Sequence, residues 1–346
     1  MSDISSICKK KSIVFLIGTL GVGGKERQLA ELIKALPDDK YIIHLFAKDI
    51  SAYYIHSISR KITSLQVLNR NHFQFFDVFR LSRYLSRVNP DFVFSLSTTT
   101  SHFALASKWL KASSFVLINA SVQNAPSKFL IRTRIESLLY TFYPYVVGNS
   151  YAGLKSYQQS KKKGRFLLYN GFDFERIPPI SKSAARQILG FEQNKFIVVM
   201  VARLDPAKDH RTFLKAAYRC SAFCDDLSFY VVGDGSNSSG LVRLTKELGI
   251  SDKVLFLGVR NDVETILTAS DISVLTTYGE GISNAIVESL ACNSPVIATD
   301  VAGNREIIQD GRNGYLVPEG DHLALSEKIL CLKKHPELRY LWQKDG

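Results

Sequence analysis

Residues 276–299 read TTYGEGISNAIVESLACNSPVIAT, and this stretch indicates how the rest of the chain is folded. A β-branched apolar run, Ile272–Thr277, ends in a glycine-containing loop around Glu280. Ser283 stands where a helix N-cap is expected, because the apolar residues after it recur at helical spacing. Pro295 then opens a second strand-like run, PVIAT. The pattern predicts a strand, a glycine turn, a helix and another strand.

Two carboxylates lie around this turn. Glu280 is in the loop that faces the predicted helix N-terminus, and Glu288 lies about a turn and a half inside the helix. A helix N-terminus has unpaired N–H groups and a partial positive charge, which suit an anionic ligand. Carboxylates beside it suit hydroxyl groups, so the sequence predicts a sugar joined to phosphate. The alternative is that Glu280 is an ordinary turn residue and Glu288 a solvated helix residue.

Strands and helices alternate along the whole chain, from a buried strand at Ser12–Ile17 to the stretch already quoted. This alternation predicts parallel sheets that are covered by helices on both faces, with a ligand beyond the carboxyl ends of the strands. A domain boundary is predicted in the stretch 170–195, where Pro178-Pro179 and the flanking polar residues are interpreted as a linker. We therefore expect one domain in residues 1–175 and a second in residues 176–346. The chain ends soon after a predicted helix, Leu323–Leu332, so we expect a shortened C-terminus.

Composition bounds the class of protein. The chain has 346 residues, which fits two domains of ordinary size, and no apolar run is long enough to span a bilayer. The N-terminal run IVFLIG follows three lysines, but it is too short for a signal peptide and no cleavage site follows. The five cysteines are few and odd in number, which favours a reducing cytosol. We expect a cytoplasmic protein.

The net charge of +12 is unevenly distributed. Residues 1–170 contain 24 Lys and Arg against 9 Asp and Glu, whereas the remainder contains 20 against 23. This asymmetry indicates that the first half meets an anionic surface. No nucleic-acid-binding module accompanies the charge, so nucleic acid is excluded. The mixed basic and aromatic segment 127–145 favours an anionic membrane surface, and the alternative is an ordinary domain helix with a basic face.

Two further loops carry candidate binding residues. Residues 18–24, GTLGVGG, follow the first strand, and glycines there let the backbone approach a phosphate, although a plain turn is the alternative. The spacing is not GxGxxG, which disfavours a nicotinamide dinucleotide. Arg203 ends the first strand of the second domain and Lys208 follows five residues later. A guanidinium and an ammonium at a strand end suit a diphosphate, although loop cations are often only solvated.

Together these motifs resemble those of the GT-B glycosyltransferases of the large retaining family 4, often called glycosyl transferases group 1. The most specific part is the E-x7-E pattern from Glu280 to Glu288 in EGISNAIVE. The segments SLACNSPVIATDVAGNREII, ARLDPAKDHRTFLKA and GGKERQLAELIKAL are also typical of that family. The resemblance covers nearly the whole chain and implies two Rossmann-like, doubly wound domains that face each other across a cleft.

The resemblance also implies roles for individual residues. Arg203 and Lys208 would hold the donor diphosphate, and Glu280 would contact hydroxyls of the donor sugar. Glu288 would bind the ribose, and Arg260 would lie near the base. His102 is the best match to a first-domain histidine against the donor sugar, although a structural role is the alternative. The remaining positions implied to line the donor site are Gly23, Gly24, Gly281, Ile282, Ser283 and Asn284.

The implied reaction is transfer of a sugar from a nucleotide-diphosphate sugar, UDP-linked or else GDP-linked, with retention. No Asp-x-Asp metal motif is apparent, so we expect a metal-independent reaction without a cofactor. The acceptor class implied is a lipid-linked glycan or polysaccharide of bacterial surface assembly, with the enzyme peripheral at the inner face of the cytoplasmic membrane. Two alternatives stay open, a sugar-nucleotide epimerase of the same architecture and a non-catalytic membrane-surface binding module.

Overall fold

The structure, a computed structural model, describes residues 9–21, 23–50, 52–68, 76–110, 114–122 and 130–345. The described residues divide into two compact units, the first ending at Gly171 and the second beginning at Phe172. The predicted boundary between residues 175 and 176 lies a few residues beyond this division. Each unit is a parallel α/β sheet with helices.

The first unit contains a seven-stranded sheet in the order β3-β2-β1-β4-β5-β6-β7, and its paired strands are parallel. Its strands are β1 Lys11–Leu20, β2 Tyr41–Ile50, β3 Ile62–Val67, β4 Phe92–Ser95, β5 Val116–Val122, β6 Tyr145–Gly148 and β7 Arg165–Leu167. Its helices are α1 Gly24–Ala35, α2 Ala52–Ile58, α3 Asp77–Val88, α4 Thr98–Trp109, α5 Leu130–Leu139 and α6 Tyr151–Ser156.

The second unit contains a six-stranded parallel sheet in the order β10-β9-β8-β11-β12-β13. Its strands are β8 Phe196–Val201, β9 Leu227–Val232, β10 Val254–Gly258, β11 Ile272–Leu275, β12 Val296–Thr299 and β13 Gly314–Val317. Its helices are α7 Lys182–Leu189, α8 His210–Ser221, α9 Ser238–Glu247, α10 Val263–Ala269, α11 Asn284–Ala291, α12 His322–Lys334 and α13 Pro336–Asp345.

The central strands of the second unit are buried on both faces. Val198 and Met200 of β8 face one apolar cluster, and Ile197 and Val199 face another. Because the side chains of a strand alternate between faces, a continuous run such as FIVVMV can supply both clusters. The prediction of a doubly wound sheet is confirmed.

The strand order reverses direction between β8 and β11. From β8 the chain proceeds to β9 on one side, and from β11 it proceeds to β12 on the other. The connections after these two strands leave in opposite directions from the carboxyl edge of the sheet, which is where ligands bind in open α/β sheets. The first unit has the same reversal between β1 and β4.

The stretch 170–195, where the sequence predicts a domain boundary, also contains a helix. Helix α7 occupies Lys182–Leu189, and the Ser181 side chain caps it by accepting a hydrogen bond from the Ala184 N–H at 3.2 Å. Arg186 anchors this helix because its guanidinium contacts the Asp271 carboxylate at 2.6 Å. The helix is short, and one of its buried residues is this arginine. Apolar periodicity alone therefore did not predict it.

A last helix, α13, also follows the predicted end of secondary structure at Leu332. Pro336 stands at its first position, where a missing N–H costs nothing. Trp342 of this helix is buried and packs edge-on against Tyr315 at 4.8 Å between ring centroids. No helix within the described ranges is both long enough and apolar enough to cross a membrane.

Candidate functional site

Hydrogen bonds join the two loops that follow β8 and β11. The Asp209 N–H donates to the Thr276 carbonyl at 3.1 Å, and the Thr276 hydroxyl donates to the Asp209 carbonyl at 2.7 Å. The Ala207 carbonyl accepts from the Thr277 hydroxyl and from the Tyr278 N–H, each at 3.1 Å. Both neighbours of residue 208 are thereby fixed to the loop that contains the glycine turn.

Lys208 and Glu280 form an ion pair across these loops. Their side chains are 21% and 8% exposed, so the pair lies largely out of solvent. The Thr277 hydroxyl lies 3.4 Å from a carboxylate oxygen of Glu280 and restrains it further. The structure therefore brings together, at the carboxyl edge of the sheet, a residue that is predicted to bind the diphosphate and a residue that is predicted to bind the sugar.

Burial lowers the pKa of Lys208 to about 8. The Asp205 carboxylate acts in the opposite direction, whereas the guanidinium of Arg203 lowers the pKa further. At pH 7 the ammonium is still mostly protonated, and an additional anion at this position would stabilise the protonated form. The site thus contains an ammonium group that is mostly protonated at pH 7, beside a carboxylate.

Arg203 is oriented differently from the Lys208–Glu280 pair. Its side chain is 73% exposed, and its Nη2 atom lies 2.7 Å from a carboxylate oxygen of Asp205. Asp205 in turn accepts a hydrogen bond from the Ala207 N–H at 3.0 Å, which holds the turn closed. Arg203 is therefore available at the surface of the loop, paired with an acid that an incoming anion would have to replace.

The glycine turn around residue 281 is held in place by a backbone contact. A Cβ atom on Gly303 would overlap the carbonyl oxygens of Glu280 and Gly281, so only glycine permits this close approach. Ser283 is buried, and its backbone is extended at the N-terminus of α11. The first turn of α11 contains no acidic residue, so the partial positive charge of the helix end is not neutralised there.

Glu288 is one of the buried residues of α11. Arg176 and Glu264 form an ion pair in which Glu264 is buried and Arg176 is partly exposed. Burial raises the pKa of the Cys292 thiol to about 12, and the charges of Glu264 and Glu288 act in the same direction. The interpretation of Glu288 as a solvated helix residue is wrong, because its side chain is almost fully buried.

Arg260 follows β10, which is an outer strand of the second sheet. Its Nε and Nη2 atoms contact the two carboxylate oxygens of Asp262 at 2.8 and 2.5 Å. This two-point contact raises the pKa of Arg260 and orients its guanidinium plane. Its contacts are with Asp262 and not with the residues of the Lys208–Glu280 pair.

The glycine loop of the first unit precedes α1. Gly23 is the N-cap residue of α1 and has an extended backbone, and Gly24 is the first helical residue. A Cβ on Gly23 would overlap the end of the Glu26 side chain, which lies in the first turn of the helix. An anion at this helix N-terminus would have to displace the Glu26 carboxylate, which rotation of a flexible side chain permits.

His102 lies near the start of α4, just beyond the carboxyl end of β4. Its Nε2 atom is buried and has no hydrogen-bond partner, and burial lowers the pKa of the imidazole. The residues around it form a buried network, in which the Ser101 hydroxyl donates to Ser95 at 2.9 Å and accepts from the Asn119 amide at 2.8 Å. A neutral imidazole with an unused ring nitrogen can bond a ligand hydroxyl.

Three residues of this site were not predicted from the sequence. Thr277 fixes both loops, Gly303 supports the glycine turn, and His210 is buried beside Lys208 with its Nδ1 atom 2.8 Å from the Lys208 carbonyl. Thr277 and Gly303 lie in loops that have no periodic pattern, and only their contacts with sequence-distant segments identify them. His210 is the first residue of α8, and the sequence does not show its contact with the Lys208 carbonyl.

Comparison with known proteins shows what the chain is similar to. Residues 181–346 match the family model described as glycosyl transferases group 1. The chain is 28% identical, over 95% of its own length and 92% of the relative's, to N-acetylgalactosamine-N,N'-diacetylbacillosaminyl-diphospho-undecaprenol 4-alpha-N-acetylgalactosaminyltransferase of Campylobacter jejuni. It is 34% identical to UDP-Gal:alpha-D-GlcNAc-diphosphoundecaprenol alpha-1,3-galactosyltransferase of Escherichia coli, over 45% of this chain and 41% of that one. It spans less than half of the length of several other curated relatives that it matches.

Solved structures share the fold of the whole chain. Anabaena HepE in complex with UDP-glucose superposes with a TM-score of 0.82 and 22% identity, covering 96% of this chain and 93% of that one. Sucrose-phosphate synthase from Thermosynechococcus elongatus superposes with a TM-score of 0.80 and 18% identity, covering 97% and 93%. The chain therefore has the fold of the GT-B glycosyltransferases, and residues 181–346 match the model of the glycosyl transferases group 1.

Proposed function

We propose that the protein transfers a sugar from a nucleotide-diphosphate sugar to a lipid-linked glycan or polysaccharide. The observation that carries this proposal is the Lys208–Glu280 pair at the carboxyl edge of the second sheet, beside the N-terminus of α11. A cation and a helix end suit the diphosphate, and a buried carboxylate suits sugar hydroxyls. The match of residues 181–346 to the glycosyl transferases group 1 supports the same reaction.

Lys208 and Arg203 act on the leaving group in this proposal. When the bond between the sugar C1 atom and the diphosphate oxygen breaks, its electron pair and a negative charge stay on the diphosphate. Lys208 meets that charge when the diphosphate replaces Glu280 as its partner, and Arg203 does so by leaving Asp205. Stabilising charge that develops during bond breaking accelerates the reaction itself.

The rest of the donor is assigned to the turn and helix that follow. Glu280 and the backbone N–H groups of residues 281–284 bond the sugar and the adjacent phosphate. Glu288 binds the ribose hydroxyls, and its burial is consistent with a role in ordered binding. Arg260 lies near the base, where its fixed guanidinium offers a flat surface for stacking.

The first unit contributes Gly23, Gly24 and His102 to the donor in this proposal. The unpartnered Nε2 atom of His102 accepts a hydrogen bond from a sugar hydroxyl, and the glycine loop offers backbone N–H groups to the phosphate. Transfer occurs with retention and without a metal ion. The acceptor oxygen forms a bond to C1 on the face that the diphosphate leaves, and its proton passes to the departing diphosphate oxygen.

The donor and acceptor classes follow from the relatives. The relative from E. coli is named for UDP-galactose, and both relatives are named for undecaprenol diphosphate acceptors. We therefore favour a UDP-sugar over a GDP-sugar and a lipid-linked acceptor of bacterial surface polysaccharide synthesis. The basic first half of the chain supports a peripheral location at the inner face of the cytoplasmic membrane.

Calorimetric titration tests the donor site directly. UDP, GDP and ADP are titrated against the wild-type protein, Lys208→Ala and the control Lys246→Ala, which removes an exposed lysine of the same unit. The proposal expects tight binding of UDP that Lys208→Ala loses and Lys246→Ala keeps. Absence of binding to all three nucleotides, in a protein whose circular dichroism shows a folded chain, would contradict it. Product analysis with a UDP-sugar then separates transfer from epimerisation.

A further inference from the structure

The carbonyl of Lys208 accepts two hydrogen bonds, and both come from His210. The backbone N–H of His210 donates to it at 2.7 Å, and the Nδ1 atom of the imidazole lies 2.8 Å from it. Because a carbonyl oxygen can only accept, Nδ1 is the ring nitrogen that carries the proton in this contact. The imidazole therefore reaches back over two positions to hold the backbone of Lys208.

The turn between these two residues is tight. Asp209 has φ −73° and ψ 63°, which is the conformation of an inverse γ-turn. The Asp209 carboxylate also caps α8, because it accepts a hydrogen bond from the Thr212 N–H at 3.2 Å. Any residue at position 210 would keep the backbone bond of the turn. Only a side chain with a donor close to its Cβ atom can add the second bond.

The His210 side chain is 1% exposed. Burial lowers the pKa of its imidazole, although the bond to the Lys208 carbonyl and the charge of Asp205 act in the opposite direction, so the ring is neutral at pH 7. Its Nε2 atom is buried and has no hydrogen-bond partner among the described residues. An unused buried acceptor costs free energy that an apolar side chain would avoid. The bond from Nδ1 is therefore what an imidazole contributes at this position.

Lys208 is held in a different way from the residues on either side of it. Both of those residues bond to the loop that contains the glycine turn. The backbone of Lys208 instead bonds within its own loop, with its N–H donating to the Asp205 carbonyl at 3.0 Å and its carbonyl accepting from His210. These two contacts fix the direction in which the lysine side chain leaves the loop. That direction places the ammonium beside Glu280.

We infer that His210 is a positioning residue for Lys208, which holds the turn so that the lysine ammonium meets the diphosphate of the donor. The inference rests on the proposed function for the identity of the anion, whereas the hold on Lys208 does not depend on it. His210 acts through Lys208 and does not touch the donor. A turn that lacks the Nδ1 bond leaves a flexible lysine that the ligand itself must order, and such ordering weakens binding.

Calorimetric titration with UDP tests the inference on the full-length protein. The test variants are His210→Phe, which keeps a ring, and His210→Leu, which is smaller if that ring does not fit. Each should lose about tenfold or more in UDP affinity. His210→Asn is the rescue variant, because its amide nitrogen is as many bonds from the backbone as Nδ1, and it should stay within about threefold of the wild type.

The control is His44→Phe. His44 is also a buried histidine, and its Nδ1 atom lies 2.7 Å from the Ser64 hydroxyl in the first unit. This variant loses a buried imidazole and its hydrogen bond at a distant position, so its UDP affinity should equal that of the wild type. Equal losses in His210→Phe and His210→Asn would overturn the inference, because the donor would then not be the cause.

Nuclear magnetic resonance titration of Lys208 gives a second measurement that needs no nucleotide, with Lys208→Arg identifying the signal. A loosened turn lets the ammonium reach water, so in His210→Phe and His210→Leu the pKa of Lys208 should move from about 8 toward its ordinary value of about 10.4. In His210→Asn and His44→Phe it should stay near the wild-type value. An unchanged pKa of Lys208 in both test variants would overturn the inference. Failure of the wild type to bind UDP would contradict the proposed function, and this titration would still decide the role of His210.

Discussion

Lys208 and Glu280, which are 72 residues apart in sequence, form a largely buried ion pair between the loops that leave β8 and β11. The pair satisfies both charges when no donor is bound. A diphosphate must therefore replace the Glu280 carboxylate as the partner of Lys208, and the released carboxylate then needs new hydrogen-bond donors. Sugar hydroxyls supply such donors. The pair thus couples binding of the two halves of a sugar diphosphate.

Removing either partner should destabilise the protein more than removing both. Lys208→Met leaves the Glu280 carboxylate buried without its cation, and Glu280→Leu leaves the Lys208 ammonium buried without its carboxylate. The free energy of unfolding of each single variant should therefore fall by on the order of 3 kcal/mol. The double variant should lose clearly less than the sum, as urea unfolding would measure. Arg305→Met serves as the control because the Arg305–Asp300 pair is exposed and should contribute below about 1 kcal/mol. Additive losses would show that the two residues are not coupled.

Gly303→Ala should disturb the glycine turn without removing a charged side chain. The new methyl group would overlap the backbone of Glu280 and Gly281, so the turn must move or the protein loses about 1–3 kcal/mol. We expect weaker binding of a UDP-sugar together with a lower midpoint of thermal unfolding. Gly171→Ala is the matched control, since its Cβ would meet no atom within 4 Å. Equal behaviour of the two variants would contradict the supporting role of Gly303.

The sequence predicted the class of fold because β-branched runs and helical periodicity are local properties. It also indicated Lys208 and Glu280 as candidate residues, since both follow recognisable strands, and their roles stay predictions. It did not predict the orientation of Arg203, whose guanidinium contacts Asp205, because the side chain of an exposed loop residue can adopt more than one orientation. The Arg176–Glu264 pair joins segments 88 residues apart and leaves no periodic signal.

The misjudged helices have a similar origin. Pro336 at the start of α13 resembles a helix breaker unless the residues after it are known to pack. The structure shows that they do pack, because the Trp342 ring lies against the Tyr315 ring. The basic segment 127–145, interpreted as a membrane contact, lies partly outside the described residues.

His102 should affect transfer more than nucleotide binding. Its unpartnered Nε2 atom is proposed to contact the donor sugar, so His102→Ala should lower kcat about 100-fold and leave the UDP affinity within about twofold. His56→Ala, which changes an exposed histidine of α2, provides the control. If His102 is only structural, the variant would instead show a lower unfolding midpoint with an unchanged rate for the folded fraction.

The lowered pKa of Lys208 predicts how nucleotide binding depends on pH. Between pH 7 and 9 the free protein loses the Lys208 proton, since its pKa is about 8, and UDP affinity should fall on the order of tenfold. Unfolding does not cause this fall. An unfolded lysine titrates near its ordinary value of about 10.4, so between pH 8 and 10 the unfolded chain binds more protons and this group's contribution to stability rises with pH.

Calorimetry in buffers of different ionisation enthalpy should accordingly detect proton uptake when UDP binds at pH 8.5. Lys208→Arg gives the decisive comparison, because a guanidinium stays protonated throughout this range. We expect that variant to bind UDP with nearly constant affinity from pH 7 to 9 and without proton uptake. A wild-type affinity that is constant over the same range would show that Lys208 does not have to be charged for UDP to bind, and would count against its assignment to the diphosphate.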